Sequence, residues 1–378
     1  MEKSNDILER VYWELKHGYL RTIPILRTVI LRTRKFIALP YCYFRFIDWN
    51  ECTASRYKVI IDYLYIFFKL KYYPENYGYC RLWEKTRDDW KYYYGSNYDA
   101  YQSYKLGKEV QRKEYQILFR DKEVCHQLCT GAGLNVPRIY CVIDPDDDYV
   151  TKLNTYLNEN NKLIIKPVIG HGGHGVQLIE KINGTILNNN NERTNLDNLI
   201  FNERHLVQEF IKQDDRLTIL TPSASIRLIT LYTKSYDVII LSAEINTAVG
   251  DNVVSNWSAG GIGIGVDIES GRLKESGYDK QGHIHTIHPT TKIRFSDYVI
   301  PEWNQIVDFA IKIQKTFPYY KMLGPDITLS ANGPMLYEIN ATPDIASTEQ
   351  LLGPLLANKK ILQEFKKYDL LINNTFSE

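Results

Sequence analysis

The stretch Gly324-Pro325-Asp326-Ile327-Thr328-Leu329, followed after a short turn by Met335-Leu336-Tyr337-Glu338-Ile339-Asn340, has the pattern of a β-hairpin. Glu338 and Asn340 are two residues apart, so they project from the same face of a strand. A two-residue turn at Asn332-Gly333 would set Asp326 opposite Ile339 and send it to the other face. An odd loop centred on Asn332 would set Asp326 opposite Glu338. We expect the odd loop.

That arrangement predicts a metal site. Asp326, Glu338 and Asn340 offer three hard oxygen donors on one face, which suits Mg²⁺ and leaves its other positions to water and phosphate oxygens. The alternative is an incidental polar face on an exposed hairpin. The apolar residues of both strands make the hairpin core-forming, however, so acidic residues on its other face need a reason.

A second pattern lies upstream, in a strand-like run that ends at Lys166-Pro167 and enters a loop with glycines at 170, 172, 173 and 175. Glycines let backbone amides approach phosphate oxygens, and a lysine at a strand end adds a point charge. The spacing is not that of a P-loop or a dinucleotide fingerprint. The pattern therefore indicates phosphate binding only weakly, and His171 and His174 are either phosphate or substrate contacts or ordinary exposed loop residues.

Composition separates the chain into two parts. The 378 residues carry a net charge of +1, yet residues 1–115 hold 21 Lys and Arg against 14 Asp and Glu, and 18 of the 29 tyrosines. Residues 1–115 read as helical. Beyond them, strands follow one another without intervening helices from about residue 205, which predicts antiparallel sheets and an α+β class rather than a doubly wound parallel sheet.

The sequence predicts neither a signal peptide nor a membrane span. No charged segment followed by an apolar run opens the chain, and no uncharged apolar stretch reaches the length of a membrane span. The six cysteines form no CxxC pair, which favours reduced thiols and a cytoplasmic protein. Residues 15–47 contain seven cations and no acid, so they predict either a helix with solvent-facing arginines or peripheral contact with the inner face of a membrane.

The order of the motifs resembles the ATP-grasp superfamily. The resemblance rests on Lys166-Pro167 with its glycine loop, the strand Gln208-Glu209-Phe210-Ile211, Asn256 followed by Gly260-Gly261, and Asp326 followed by Glu338-x-Asn340, and it covers about 116–355. More narrowly, the stretch at 256–262 and Val266-Asp267 followed by Gly271 are similar to the sugar-transfer-associated ATP-grasp group. The resemblance implies two α+β lobes with antiparallel sheets that clasp ATP, at 116–206 and 207–378, after a helical N-terminal region at 1–115.

The resemblance also implies roles for individual residues. Lys122 and Lys166 match the two family lysines at the phosphates, and the loop would cover the phosphates. The nucleotide-binding set is Lys122, Lys166, Gly170, His171, Gly172, Gly173, Gly175, Gln208, Glu209, Phe210 and Ile211. Arg227 matches an arginine that steadies the transferred phosphoryl group in related ligases, and Asn256 matches a residue near the γ-phosphate. Asp326, Glu338 and Asn340 match the metal ligands.

One departure concerns the ribose. Related ligases have an acidic ribose contact two residues before the matching arginine, where this chain has Ser225, and a longer linker at 212–222 follows the hinge strand. Asp214 and Asp215 are the candidates for replacing that contact, and the sequence does not choose between them. The helical N-terminal region is a second departure, because many relatives begin with an α/β domain.

The function implied by the resemblance is an ATP- and Mg²⁺-dependent carboxylate–amine ligase that acts through an acylphosphate in surface-glycan assembly. Its partners would be a small-molecule or glycan acid and an amine or amino acid. One alternative is an ATP-grasp kinase that phosphorylates a hydroxyl. Another, of a different class, is a nucleic-acid-binding module in which cations and tyrosines bind the nucleic acid and the ATP site is vestigial.

Overall fold

The computed structural model describes residues 24–170, 172–189, 192–250, 255, 260–279, 282–372 and 376. These residues divide into two compact units. The terminal unit comprises the described residues of Met1–Val110 together with those of Asp344–Glu378, and the central unit comprises those of Gln111–Pro343. The C-terminal segment thus folds with the N-terminal segment, whereas the predicted candidate site falls within the central unit.

The terminal unit is helical in the residues that the structure describes. Its helices are α1 (Pro24–Ile37), α2 (Leu39–Arg45), α3 (Arg56–Tyr65), α4 (Glu75–Tyr79), α5 (Arg87–Trp90) and α6 (Ala100–Glu109). A π-helical turn, Ile66–Leu70, extends α3, and its end is marked by Lys71 at φ 67°. None of the helices in the described ranges combines the length and apolarity that crossing a bilayer requires.

The first sheet of the central unit has five antiparallel strands. They are β1 (Ile139–Ile143), β2 (Lys162–Pro167), β3 (Gln177–Ile182), β4 (Thr185–Leu187) and β5 (His205–Glu209), in the order β1-β5-β2-β3-β4. The helices that precede and flank them are α7 (Ile117–Arg120), α8 (Lys122–Gly131) and α9 (Tyr149–Asn160). Asn183 and Gly184 form the two-residue turn between β3 and β4, both at positive φ, as an Asn-Gly pair favours.

The second sheet has seven antiparallel strands. They are β6 (Ala224–Tyr232), β7 (Val238–Thr247), β8 (Ile262–Val266), β9 (Leu273–Tyr278), β10 (Ile284–His285), β11 (Met322–Ser330) and β12 (Gly333–Asn340), in the order β10-β9-β8-β7-β6-β11-β12. A short helix, α10 (Asp215–Thr218), precedes them, and α11 (Trp303–Thr316) lies before β11. Ile306, Ala310 and Ile313 of α11 share one buried core with Ile226 and Ile327 of the sheet. That core leaves the opposite sheet face to polar residues.

The remaining helices, α12 (Ile345–Leu352) and α13 (Lys359–Lys367), belong to the terminal unit. Short 3-10 turns lie at Leu82–Glu84, Lys113–Tyr115, Leu196–Asn198, Phe295–Asp297 and Leu355–Ala357. All six cysteines are free thiols, and four of them are buried. The antiparallel sheets and the helical region at the N-terminal side confirm the predicted α+β class.

Local backbone sets the start of two helices. Helix α8 begins after Asp121, whose extended backbone lets its carboxylate accept from the amides of Glu123 and Val124. Helix α11 begins at Trp303, after Glu302 at φ 52°.

The predicted odd loop in the β11–β12 hairpin is wrong, but its consequence is right. Ser330 pairs with Gly333 across a two-residue turn, and the ladder continues regularly to Ile327 opposite Leu336. A β-bulge at Tyr337 then inserts one residue, so Asp326 lies opposite Glu338. The bulge thus gives Asp326 the partner that the odd loop was expected to give it.

Candidate active site

A row of charged side chains crosses four neighbouring strands of the seven-stranded sheet. Glu244 on β7 pairs with Arg227 on β6, Arg227 pairs with Asp326 on β11, and Asp326 pairs with Glu338 on β12. Directly opposite residues in an antiparallel sheet share a face, so the four side chains lie on the face away from α11. The hairpin and the two preceding strands therefore build one polar surface.

Arg227 is held by two acidic side chains, those of Asp326 and Glu244. Its Nε and Nη2 atoms each donate to one oxygen of Asp326 at 2.7 Å, a bidentate pair, and Nη1 lies 3.7 Å from Glu244 Oε1. Burial alone would lower the pKa of Arg227, but the charge of Asp326 and its hydrogen bonds raise it overall. The guanidinium thus stays charged and points along the row.

Glu338 is a half-buried carboxyl group with charge of both signs around it. Burial and the charge of Asp326 raise its pKa, while Lys166, Lys122 and Arg227 pull it back in part. A nearby cation favours the carboxylate form, and a bound metal ion would be such a cation.

Two lysines approach this row from the five-stranded sheet and from α8. Lys166 lies near the end of β2, and burial lowers its pKa to about 8, although Glu338 opposes that effect. Lys122 is the first residue of α8, and its Nζ donates to the carbonyl of Gly170 at 2.9 Å. Its backbone amide also donates to Val168, so the start of α8 is attached to the glycine loop.

Lys122, Lys166, Asp326 and Glu338 line one cleft of about 340 Å³ within the central unit, a size in the range of small-molecule sites. Arg227, Glu244 and Asn340 do not line it. The lining also has an apolar part, made of Ile164, Val176, Leu178, Phe210, Ile211 and Tyr337. A cleft with charged and apolar lining can hold a ligand that has both characters.

The glycine loop borders the cleft. Gly170, Gly173 and His174 line it, and Gly172, Gly173 and Gly175 have positive φ. A Cβ atom at Gly175 would lie 2.9 Å from Pro167 Cγ, so the backbone there passes too close to Pro167 for a side chain. His171 lies outside the described residues.

Three of the four residues predicted for the hinge strand line the cleft, and the fourth does not. Gln208, Phe210 and Ile211 line the cleft, and the Gln208 amide donates to the carbonyl of Pro137 at 3.3 Å. The Glu209 side chain instead accepts from the amide of Arg138 at 3.1 Å and does not line the cleft. Strand β5 ends at Glu209, two residues earlier than expected.

Asn340 and Asn256 differ from the other predicted site residues. The Asn340 amide nitrogen donates to Asp326 Oδ2 at 3.1 Å and to the carbonyl of Gly324 at 3.2 Å, so its nitrogen side faces the carboxylate. Asn256 lies outside the described residues.

Sequence reasoning missed several groups at the site. Glu244 is buried beside Arg227, and the two-residue alternation of β7 was the only signal for its face. Lys162 and Glu180 form a cross-strand ion pair at 3.0 Å and line the cleft. Tyr337 enters the cleft through the bulge, and burial raises its pKa to about 12.

The suggested ribose contacts are not at the cleft. Asp214 caps α10 and binds Arg216 with both of its oxygens, and neither Asp214 nor Asp215 lines the cleft. Ser225 and Ser223 do line it, together with Gln213, whose amide holds the neighbouring backbone. Hydroxyl and amide groups therefore stand where related ligases have an acid.

The donor set at the hairpin fits Mg²⁺. Asp326 and Glu338 supply carboxylate oxygens, and Mg²⁺ is commonly held by one or two carboxylates with the rest of its shell from phosphate and water. The Asn340 amide, whose nitrogen faces Asp326 here, would have to turn over to add its oxygen. Among the described residues, no group of three or more His, Cys, Asp or Glu side chains forms a metal site by itself. The fit is thus to a metal that arrives with phosphate, not to an all-protein cage.

Two antiparallel sheets, a cleft with two lysines beside a glycine loop, and a carboxylate hairpin are the features expected of an ATP-grasp fold. The sequence family described as sugar-transfer associated ATP-grasp matches residues 101–367, and the chain belongs to this family. This membership places the chain among ATP-dependent enzymes and confirms the resemblance drawn from the motifs.

Several solved structures are similar to the chain. N5-carboxyaminoimidazole ribonucleotide synthetase from Thermotoga maritima shares 13% identity over 59% of this chain and 41% of its own, with a TM-score of 0.32. The VanG D-Ala:D-Ser ligase from Enterococcus faecalis shares 16% over 65% and 61%, with a TM-score of 0.38. Biotin carboxylase from Campylobacter jejuni shares 15% over 67% and 46%, with a TM-score of 0.39. The chain spans less than two thirds of the length of each, and no curated protein sequence matches it.

Proposed function

We propose that this protein is an ATP- and Mg²⁺-dependent carboxylate–amine ligase that acts through an acylphosphate during surface-glycan assembly. The observation that carries the proposal is one cleft in which Lys122 and Lys166 meet Asp326 and Glu338. Cations and carboxylates from distant parts of the sequence converge there beside a glycine loop. Such a set suits a metal-bound triphosphate better than an uncharged ligand.

The character of the cleft suggests how the nucleotide lies. The adenine ring would lie against the apolar lining of the cleft. Ile164 and Leu178 would contact it from one sheet, and Phe210 and Ile211 from the hinge segment. The phosphates would extend to Lys166 and Lys122, with the amides of the glycine loop above them. Lys162 and Glu180 would supply a donor and an acceptor near the base.

Mg²⁺ would be held by Asp326, Glu338 and Asn340 and would neutralise charge on the phosphates when bound. Arg227 would orient Asp326 through its bidentate contact and carry positive charge toward the phosphoryl group in transfer. The low pKa of Lys166 makes it responsive to the phosphates, because its charged form is favoured once they arrive. These residues position the reactants and stabilise charge, which is most of what phosphoryl transfer needs.

The reaction balances without a nucleophilic side chain. A carboxylate oxygen of the acid attacks the γ-phosphorus, the bond to the β-phosphate oxygen breaks, and ADP leaves. The amine nitrogen then attacks the acyl carbon, inorganic phosphate leaves, and the amine gives up a proton to solvent. The description of the family as sugar-transfer associated supports an acid or amine that belongs to a glycan.

The test is a screen of the purified full chain with ATP and Mg²⁺ against acid–amine pairs that include uronic acids and amino acids. We expect ADP and free phosphate in equal amounts, together with a new amide identified by mass spectrometry. Glu338→Gln should lose at least about 100-fold in turnover while its melting curve is kept, since oxyanion and phosphate stabilisers commonly contribute that much. Glu275→Gln, at an exposed position of β9, is the matched control.

Two outcomes would contradict the proposal. A phosphorylated product without free phosphate would identify a kinase instead. Wild-type turnover in Glu338→Gln would remove that residue from the site.

A further inference from the structure

The helical segment Arg56–Leu70, which consists of α3 and its π-helical turn, is apolar on both of its faces. Its inner face is buried through Val59, Tyr63, Ile66, Phe67 and Leu70. Its outer face carries large exposed side chains at Tyr57, Ile60, Ile61, Leu64 and Phe68. A surface helix normally keeps that second face polar, so this outer face, as the described residues leave it, suits contact with a partner.

The exposed residues form a stripe and not a scatter. Their spacing of three or four residues puts them on one side of the helix, from Tyr57, which is 74% exposed, to Phe68, which is 59% exposed. The stripe continues onto α1, because the rings of Phe36 and Phe68 lie 5.8 Å apart and Ile37 next to Phe36 is 72% exposed. We call Phe36, Ile37, Tyr57, Ile60, Ile61, Leu64 and Phe68 the apolar stripe.

The charges around the stripe have one sign. Arg34 on α1 and Arg56, Lys58 and Lys69 on the α3 segment are exposed. The only acid within Arg56–Leu70 is Asp62, which is fully buried and is held by Lys58, Arg87 and Tyr77. The outer face therefore presents aromatic and aliphatic side chains with cations and without anions.

We propose that the apolar stripe docks this protein on an anionic lipid bilayer, with the helices lying in the plane of the interface. Apolar residues that enter the acyl boundary and cations that meet the headgroups are the two features that such docking uses. A second copy of the chain fits less well, because a two-fold contact through the same stripe would set the cations of both copies against each other. This surface extends the acid-free region noticed in the sequence at 15–47, of which residues 15–23 lie outside the described part.

The test measures binding of the full chain to vesicles made of equal parts of phosphatidylglycerol and phosphatidylcholine, and to vesicles of phosphatidylcholine alone. We expect flotation with the anionic vesicles and weakening as salt is added. Leu64→Ser with Phe68→Ser should reduce the partition coefficient by roughly 100-fold, because two large side chains no longer enter the bilayer. Arg56→Gln with Lys69→Gln should reduce it by about tenfold or more on the anionic vesicles only.

The matched control is Ile200→Ser with Ile219→Ser, which removes two exposed apolar side chains from the central unit. Its vesicle binding should equal that of the wild type. Circular dichroism and nucleotide binding report whether each variant is folded, which is expected since the substituted side chains are exposed.

Several results would overturn the proposal. The wild type failing to bind anionic vesicles at low salt would do so, as would equal binding by the stripe variant and the wild type. Self-association that the stripe variant abolishes, without vesicle binding, would assign the stripe to a second copy instead.

Discussion

The charge of Lys166 depends strongly on its surroundings. A lysine in water is protonated well above neutral pH, but burial at the end of β2 lowers the pKa of this one to about 8. The free protein therefore loses this charge as the pH rises through about 8. Negative phosphate oxygens beside the amine would raise the pKa again, so nucleotide binding above pH 8 requires uptake of a proton.

The first prediction is that nucleotide affinity falls as the pH rises above 8. Below that pH the charge is present in both free and bound protein and the affinity is flat, whereas above it Kd should rise by roughly tenfold per pH unit until the bound form also deprotonates. Titration calorimetry of ATP binding between pH 7 and 10, in buffers of different ionisation enthalpy, would show the proton uptake.

Lys166→Arg provides the control, since arginine keeps its charge throughout this range. Its affinity should be flat over the same pH range, even if it is weaker. The same pH slope in the arginine variant would mean that another group titrates.

At this scale, the sequence motifs named four residues that the structure brings to one cleft, Lys122, Lys166, Asp326 and Glu338. Their roles there stay a prediction. Glu244 was missed because a single acid in a strand becomes informative only when the strand beside it is known. Glu209 was placed at the nucleotide, but its carboxylate accepts the Arg138 amide, a contact across strands that no local pattern encodes.

Among the elements, the glycine loop needs a glycine at position 175. Gly175 has φ +73° and no space for a Cβ beside Pro167, whereas a Cβ at Gly170 would lie no closer than 3.7 Å to its neighbours. We predict that Gly175→Ala costs the loop on the order of 1–2 kcal/mol of backbone strain and weakens ATP binding by about tenfold or more. Gly170→Ala should cost clearly less.

Calorimetric ATP affinities of the two variants, with melting temperatures measured in parallel, make the comparison. The reverse order of the two losses would show that the loop rearranges on binding and that its backbone here does not set the affinity.

The hairpin shows what an alternating pattern can and cannot establish. Alternation put Glu338 and Asn340 on one face, and the structure agrees. The turn and the bulge were beyond its reach, because a two-residue turn with a bulge and an odd loop without one give the same partner for Asp326. Only the strand register around Tyr337 distinguishes them.

Across the whole molecule, the two ends of the chain fold as one unit. Nothing in the composition of Asp344–Glu378 assigns it to the helical N-terminal region, and the sequence led us to place it in the large lobe. The contacts that decide are between residues more than 250 positions apart, such as Asn76 with Glu349. Local periodicity contains no information about pairs at that separation.

Glu349 on α12 joins the two segments through several hydrogen bonds, and it supplies the last prediction. Its buried carboxylate accepts from the amides of Tyr94 at 2.6 Å, Gly95 at 3.0 Å and Leu355 at 3.2 Å, and from the Asn76 side chain at 2.9 Å. Glu349→Ala leaves these donors buried without an acceptor and should destabilise the terminal unit by on the order of 3–5 kcal/mol. Glu349→Gln should lose less stability, because its oxygen still serves two donors while its NH₂ group opposes the others.

Hydrogen exchange measures this effect. In Glu349→Ala it should speed up at the amides of residues 94, 95 and 355, whereas in Glu84→Gln, at a surface ion pair, exchange at these amides should change little. Unchanged exchange at those amides in Glu349→Ala would show that other contacts hold the chain ends together.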